Sequence, residues 1–394
     1  MYSKKLAKKR ENGIVRFFTL VKKELNVLAS DKQAIAIVFI LPIMALAAIG
    51  ATGGFSDDVF EMLTAGRPVT LGFVNTDESL GDPDHNLAVE FGFILDDQPS
   101  VTLVNYSNLP IEERRAQAED DLYHERIKGY VWIDNGFEFN VSGHIIPGRV
   151  YMFSDSIDIT AEPLILKRVM DTINTFKEEF NYNQDEIEVN SDALWNVESP
   201  LFISLPMVMT LTIVASGLML AAQSIVGDNP LLRVALTPAS KLEIVSSKAC
   251  AYTILHMVQA GIILVFPMLF FNMSYPPNNI SHFLSIWGCQ VFISFAAVCL
   301  GIFLSTLAKT KLQGSQFFLL GFMVLFILGG QMFAVVPGLS KALPMEHNSQ
   351  VFMKLAYKNL PFEALWMNIW PQIAFGATFF VSSYIVLLIK KEAI

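Results

Sequence analysis

Cysteine is scarce in this chain, with three residues in 394, and Cys250, Cys289 and Cys299 all stand within long apolar stretches. The polar segment from 53 to 199 holds none, which excludes a disulfide framework there; the three thiols read as small buried apolar side chains. No G-x-x-x-x-G-K-[ST] loop occurs, so this chain does not hydrolyse ATP by itself, and no H-E-x-x-H, C-x-x-C or Ser–His–acid grouping occurs either. The histidines, His85, His124, His144, His256, His282 and His347, are scattered over different segments without metal-ligand spacing. No catalytic residue, no metal site and no cofactor bound by this chain is therefore expected, and no nucleic-acid partner.

Charge is missing in a pattern. No charged residue lies from Gln33 to Ser56, Ser199 to Val226, Ala249 to Ala308, Leu312 to Ser340 or Ala364 to Ile389. A helix rises about 1.5 Å per residue, so roughly 20 apolar residues cross a hydrocarbon core about 30 Å thick. The stretch from Ala249 to Ala308 is too long for one crossing. Its centre, Asn272 to Asn279 with Pro276 and Pro277, cannot continue a helix. Six spans are predicted, and no charged ring of the kind that lines a channel is visible.

The charges present are divided unequally. Residues 53–199 carry 29 Asp and Glu against 9 Lys and Arg, and the rest of the chain 8 against 19. Bases precede the first span (Lys4, Lys5, Lys8, Lys9, Arg10, Arg16, Lys22, Lys23, Lys32), lie between spans two and three (Arg233, Lys241, Lys248) and between four and five (Lys309, Lys311), and follow six (Lys390, Lys391). Short Lys/Arg-rich loops stay in the cytoplasm, so both termini are expected inside and the acidic insert outside. Lys341, Lys354 and Lys358 depart from that pattern, but six spans put their segment outside. Asn-x-Ser triplets at Asn105, Asn140, Asn272 and Asn279 all fall on outer segments in this scheme.

The expected organisation is a cytoplasmic leader and interfacial helix over 1–32, a first span over 33–56, an extracellular α/β domain over 57–198, and spans two to six over 199–394. Ile14, Phe17, Phe18, Val21, Leu25 and Leu28 share one face of an amphipathic helix suited to the inner headgroup layer, and Ser30 with Gln33 resembles a capping box opening the first span. In the insert, strand-like runs are Val69–Asn75, Val101–Tyr106, Gly129–Ile133, Glu138–Val141 and Arg149–Phe153. Helical stretches lie around 86–95, 111–126 and 159–182, and 181–196 reads as a flexible return. The fold class is thus an α-helical membrane protein with an α/β domain inserted between helices 1 and 2.

The loop after span two reads Gly227-Asp228-Asn229-Pro230-Leu231-Leu232-Arg233-Val234-Ala235-Leu236-Thr237-Pro238-Ala239-Ser240-Lys241-Leu242-Glu243. Its apolar residues would face water unless covered. Pro230 suits a first helical turn and Thr237-Pro238 ends it, giving a short helix that could enter a partner's groove or fold back onto the membrane surface.

This loop, with Thr237-Pro238, Ser240-x-x-Glu243 and Lys248, resembles the coupling segment of type-2 ATP-binding-cassette permeases. Lys23-Glu24-Leu25, Asp31-Lys32 and Leu41-Pro42-Ile43 resemble that family's start, and Lys358-Asn359-Leu360-Pro361-Phe362 its outer re-entrant segment, here 337–363. Val74-Asn75-Thr76-Asp77, Gly129–Ile133 and Gly136-Phe137 resemble members with a large first extracellular domain. The usual Glu-rich stretch with Gly-Thr before the coupling helix is replaced by Val226-Gly227-Asp228-Asn229-Pro230.

The resemblance implies the transmembrane permease subunit of an exporter in the cell membrane, working as a homodimer or with a related permease. A separate ABC ATPase subunit would consume ATP and Mg. The implied contacts to that ATPase, in the coupling loop 227–248 and on the interfacial helix, are Leu231, Leu232, Arg233, Leu236, Thr237, Pro238 and Glu24. A substrate path at the dimer axis would be lined by Met207, Thr210 and Val214 on span two and Phe318, Phe322 and Phe326 on span five. The lack of any intramembrane charge favours an amphipathic or lipid-like cargo, with membrane lipid as a partner. Sodium or drug extrusion is the alternative, suggested by the acidic insert. From another class, the chain would be a membrane-anchored receptor or scaffold.

Overall fold

Helix α1, Gly13–Ser30, opens the described part of the computed structural model, which covers residues 13–52, 68–79, 86–143, 147–155, 161–180, 182, 187–193, 200–226, 240–275, 279–329 and 342–389. Val21, Glu24 and Leu28 are its buried residues, at helical spacing. Ile14 and Phe18, expected on that face, project outward at 74% and 62% exposure. Exposed apolar side chains there are compatible with the expected headgroup-layer position, while Glu24 reaches a partner inside the protein. Ser30 is not the cap of the next helix: its hydroxyl returns to Val27 O at 2.8 Å, and Asp31 Oδ1 takes the Ala34 N–H at 3.1 Å.

The helix so capped begins as α2, Lys32–Ile35, widens into a π turn, Ala36–Ile40, and resumes as α3, Leu41–Thr52. Pro42 explains the break. It has no N–H, and its ring crowds the carbonyl four residues back; the wider pitch, with Leu41 N–H bonded to Ala36 O, accommodates it. The apolar helix in this region, Ala36–Ala48, is shorter than the predicted first span.

The chain divides into two compact units, Phe55–Ser199 and the remainder. The first contains β1 (Val69–Asn75), α4 (Leu87–Asp96), β2 (Val101–Asn105), α5 (Ile111–Tyr123), β3 (Gly129–Ile133), α6 (Phe137–Gly143), β4 (Gly148–Ser154), α7 (Ala161–Phe180) and β5 (Ile187–Ala193). The sheet order is β2-β1-β3-β4-β5, with β1 parallel to β2 and β3, β3 antiparallel to β4, and β4 parallel to β5. β1 lies between β2 and β3 and is buried on both faces, hence its nearly unbroken apolar run. Leu71, Phe73, Val131, Val150 and Met152 pack under α4, α6 and α7. Tyr106, Tyr130 and Phe153 pack with Ala118 and Leu122 of α5 on the other side. Arg115 lies 4.6 Å from the centre of the Trp132 ring and 5.1 Å from that of Phe153. Burial pushes the Tyr106 and Tyr130 phenols above their ordinary value, and Asp121, accepting from Tyr106 at 2.6 Å, adds to the first shift.

Two expectations fail in this unit. Residues 138–141, read as a strand, lie in α6: Asp77 accepts the Gly136 and Glu138 N–H groups at 2.9 and 2.8 Å, fixing the first turn, and Phe137 and Val141 are buried one helical turn apart. The polar tract 181–196, read as a flexible return, contains β5, whose Ile187 and Val189 pack with the core while Glu188 and Asp192 point to solvent.

The second unit continues with α8 (Pro200–Ser224), α9 (Lys241–Phe270), α10 (Ile280–Leu307), α11 (Lys311–Leu328), α12 (Pro344–Ala356) and α13 (Phe362–Ile389). All except α12 are long and apolar enough to cross a membrane, and α9 and α10 are separate helices, as expected from the sequence. α8 is central, with 72% of its apolar window buried, and α11 peripheral, with 11%. Two glycines let backbones meet α8 closely: a Cβ on Gly301 would stand 2.8 Å from Leu218 O, and one on Gly314 2.7 Å from Ala222 O. α12 starts with Pro344 in its first turn and buries Met345, Val351, Phe352 and Leu355 in the core shared by α8, α10 and α13.

Candidate coupling site

The N-terminal end of α9 is held by two other helices, α1 and α13. Ser240 and Glu243 form a capping box: Ser240 Oγ accepts the Glu243 N–H at 3.2 Å, and Glu243 Oε2 the Ser240 N–H at 2.6 Å. The other oxygen of the same carboxylate accepts from Arg16 of α1 at 3.1 Å. One turn further, Lys248 Nζ lies 3.0 Å from Glu24 Oε2, with side-chain exposures of 2% and 7%, and Lys23 Nζ stands 3.7 Å from Glu24 Oε1. Lys241 Nζ donates to Leu387 O at 2.6 Å, which satisfies a carbonyl in the last turn of α13. At the end of α8, the Ile225 and Val226 N–H groups both reach Ser305 Oγ of α10, at 2.9 and 3.2 Å.

These contacts hold the described residues on either side of 227–239. One side is tied to α10 and the other to α1 and α13. Losing one partner of a buried pair such as Glu24–Lys248 costs about 3–5 kcal/mol, whereas a surface pair contributes at most about 1 kcal/mol. Arg16–Glu243, part-exposed at 32% and 19%, is thus the weaker of the two links between α1 and α9.

Leu231, Leu232, Arg233, Leu236, Thr237 and Pro238 lie outside the described residues. Glu24 is described, and it faces the protein interior. Arg16, Lys241 and Ser305 were not singled out from sequence. Glu24 was assigned to a face away from the apolar stripe, yet it is buried beside Val21 and Leu28 and so requires a partner. Lys248, at the mouth of a long uncharged run, was the matching cation.

The path residues fall into two places. Thr210 accepts from Asn348 Nδ2 at 2.8 Å and lies 3.3 Å from Ser349 Oγ, while Asn348 also donates to Gln290 at 3.1 Å. Thr210 thus joins α8 to α12 and α10. Val214 lies in the apolar core against which Phe318 and Phe322 pack, and Phe318, Phe322 and Phe326 stack at 6.0 Å intervals along α11. Met207 is half-buried. Among the described residues no group of three or more His, Cys, Asp or Glu could hold a metal ion.

A family model described as ABC-2 family transporter protein matches residues 32–385, which is most of the chain. The chain belongs to the ABC-2 transporter family. No curated protein and no solved structure matches it. This ABC-2 permease is a multi-pass membrane protein, and permeases of its family work with an ABC ATPase. The joint around Glu24, Lys248 and Glu243 accordingly belongs to a protein whose kind is driven by a separate motor subunit.

Proposed function

We propose that this chain is the permease subunit of an ABC exporter, in which residues 227–239 dock into the ATPase and the joint at the inner end of α9 relays the push. ATP and Mg are consumed in the partner, and two six-span units surround the cargo path. α2, the π turn and α3 supply the first crossing, Phe55–Ser199 lies outside, and both termini lie inside. The cargo is amphipathic or lipid-like, in keeping with uncharged spans whose polar residues are Thr, Ser, Asn, Gln and His.

The observation that carries this reading is that the described residues on either side of 227–239 are held. A segment that merely joined two helices would need no buried ion pair beside it, and a part-buried Glu243 would not also have to hold α1. Force applied to 227–239 has rigid paths into α10 through Ser305, into α1 through Glu24 and into α13 through Lys241.

Co-purification and reconstitution with an ABC ATPase test the reading. The complex should form and hydrolyse ATP faster than the ATPase alone. Leu232→Asp or Leu236→Asp should remove that stimulation while leaving the melting temperature unchanged. A permease that never co-elutes with an ATPase, and whose Leu232→Cys form cross-links only to lipid, would end it.

A further inference from the structure

A groove of about 560 Å³ runs along α9, towards the end opposite its capping box, and along the first turns of α10. Its wall on α9 recurs at Met257, Gly261, Val265 and Leu269, one face of the helix, and α10 supplies Phe283 and Trp287. The face is open: Val265 is 38% and Leu269 73% exposed. Almost no polar surface lines it. Trp287, whose indole N–H would otherwise bring a donor into the groove, turns that group to Met257 O at 2.7 Å. Gly261 allows the ring to lie there, since a Cβ on it would stand 3.2 Å from Trp287 Nε1.

Both helices are long and apolar enough to cross a membrane, so an occupant of the groove is apolar and comes from the bilayer or from another span. Size decides between these. The lining on α9 runs from Met257 to Phe270, a rise of about 20 Å at about 1.5 Å per residue. The volume of 560 Å³ divided by that length gives a cross-section of about 28 Å², or about 6 Å across. An α-helix with its side chains is about 10–12 Å wide and does not enter. A methylene chain, whose carbons meet their neighbours at about 3.5–4.0 Å, does. The length agrees as well, because one leaflet of a hydrocarbon core about 30 Å thick is about 15 Å deep. The lining stops at Met257 on α9 and at Trp287 on α10, so the groove serves one leaflet. No charged residue lies from Ala249 to Ala308, so nothing in this stretch selects a headgroup by its charge.

We propose that the groove between α9 and α10 is a binding site for one phospholipid acyl chain, drawn from the leaflet at the C-terminal end of α9, and that it recognises the chain and not the headgroup. In a membrane the gain is packing, since the chain is surrounded by apolar groups whether free or bound. A chain seated between Phe283, Trp287 and α9 keeps contacts on several sides, whereas a lipid beside a convex helix surface has them on one. The inference rests on membrane insertion alone and is independent of cargo and of the ATPase.

The test uses the full chain in nanodiscs doped with two photoreactive probes, a phosphatidylcholine and a phosphatidylglycerol, each carrying a diazirine on the same acyl-chain carbon. α11 serves as an ordinary lipid-facing surface, with Leu319 and Leu320 at 54% and 65% exposure. About ten added carbon contacts correspond to roughly tenfold occupancy, so residues 257–270 should be labelled about that much more than α11, and equally by both probes. Val265→Trp fills the groove and should lower the labelling to the α11 level with the melting temperature unchanged. If that variant fails to fold, Ile262→Trp, on the same wall, gives the same readout. Labelling of 257–270 no greater than that of α11, labelling by the phosphatidylglycerol probe only, or labelling unchanged in the folded variant overturns the proposal. So does a disulfide between copies that Leu269→Cys forms in the membrane and the parent does not, since a second copy would then cover the groove.

Discussion

Replacing Glu24 by Leu tests the strongest link between α1 and the spans. The change leaves the Lys248 ammonium, 2% exposed, without its carboxylate 3.0 Å away, and an uncompensated buried charge destabilises by about 3–5 kcal/mol. Lys248→Met should cost less, since Lys23 stays 3.7 Å from the remaining Glu24 carboxylate. The double variant, Glu24→Leu with Lys248→Met, removes both charges and fills the gap with apolar volume, so it should return to within about 1 kcal/mol of the parent. A double-mutant cycle then gives a coupling of about 3 kcal/mol, well above the 0.5 kcal/mol or so of independent sites. Melting can be followed with a thiol-reactive dye, because Cys289 and Cys299 are buried until the bundle opens. The double variant separates folding from coupling: it should melt like the parent yet respond less to the ATPase, because α1 would be held only by Arg16 and apolar contacts. A single variant that melts with the parent, or a double variant as unstable as the sum of the two singles, would refute the reasoning.

Gly314→Leu should separate α11 from α8 and destabilise by about 1–3 kcal/mol or more, since the added Cβ meets a backbone oxygen that cannot yield. Gly288→Ala, where a Cβ meets nothing within 4 Å, should be neutral or gain up to about 1 kcal/mol of helix propensity in the same melting assay. Tyr106 and Tyr130 hold their protons more tightly folded than unfolded. Their contribution to stability is therefore complete below the ordinary tyrosine value of about 10 and is lost as pH rises beyond it. In an absorbance titration, Tyr106→Phe and Tyr130→Phe should remove none of the phenolate formed near pH 10; a smaller step there in either variant would contradict the assignment.

What could be read from sequence was whatever depends on local composition. Uncharged runs located the five long apolar helices, and Pro276 with Pro277 divided α9 from α10. Runs rich in Val, Phe, Tyr and Trp found β1 to β4. The failures were non-local. Ile187 and Val189 make a strand only because β4 offers an edge, and nothing within 181–196 reveals that edge. Residues 138–141 alternate like a strand, but Asp77, some sixty residues away, organises them into a helix. Glu24 and Lys248 were both noted, yet 224 residues separate them, and only folding shows that they meet. Thr210 was chosen for its place on α8, whereas its bond to Asn348 depends on α12, whose burial among three helices no periodicity predicts.

The strand order bears on how the chain is made. β1 waits for β2 and β3 on its two sides, and β4 stays open along one side until residues 187–193 arrive. Those residues are followed within seven positions by the start of the next long helix. A chain stopped by the ribosome just short of them would display Val150 and Met152 beside a bare row of amides, the edge that aggregates most readily. Maturation of the water-facing unit is thereby timed to the emergence of the next hydrophobic helix, and a tag or linker inserted between 187 and 200 would disturb both events at once.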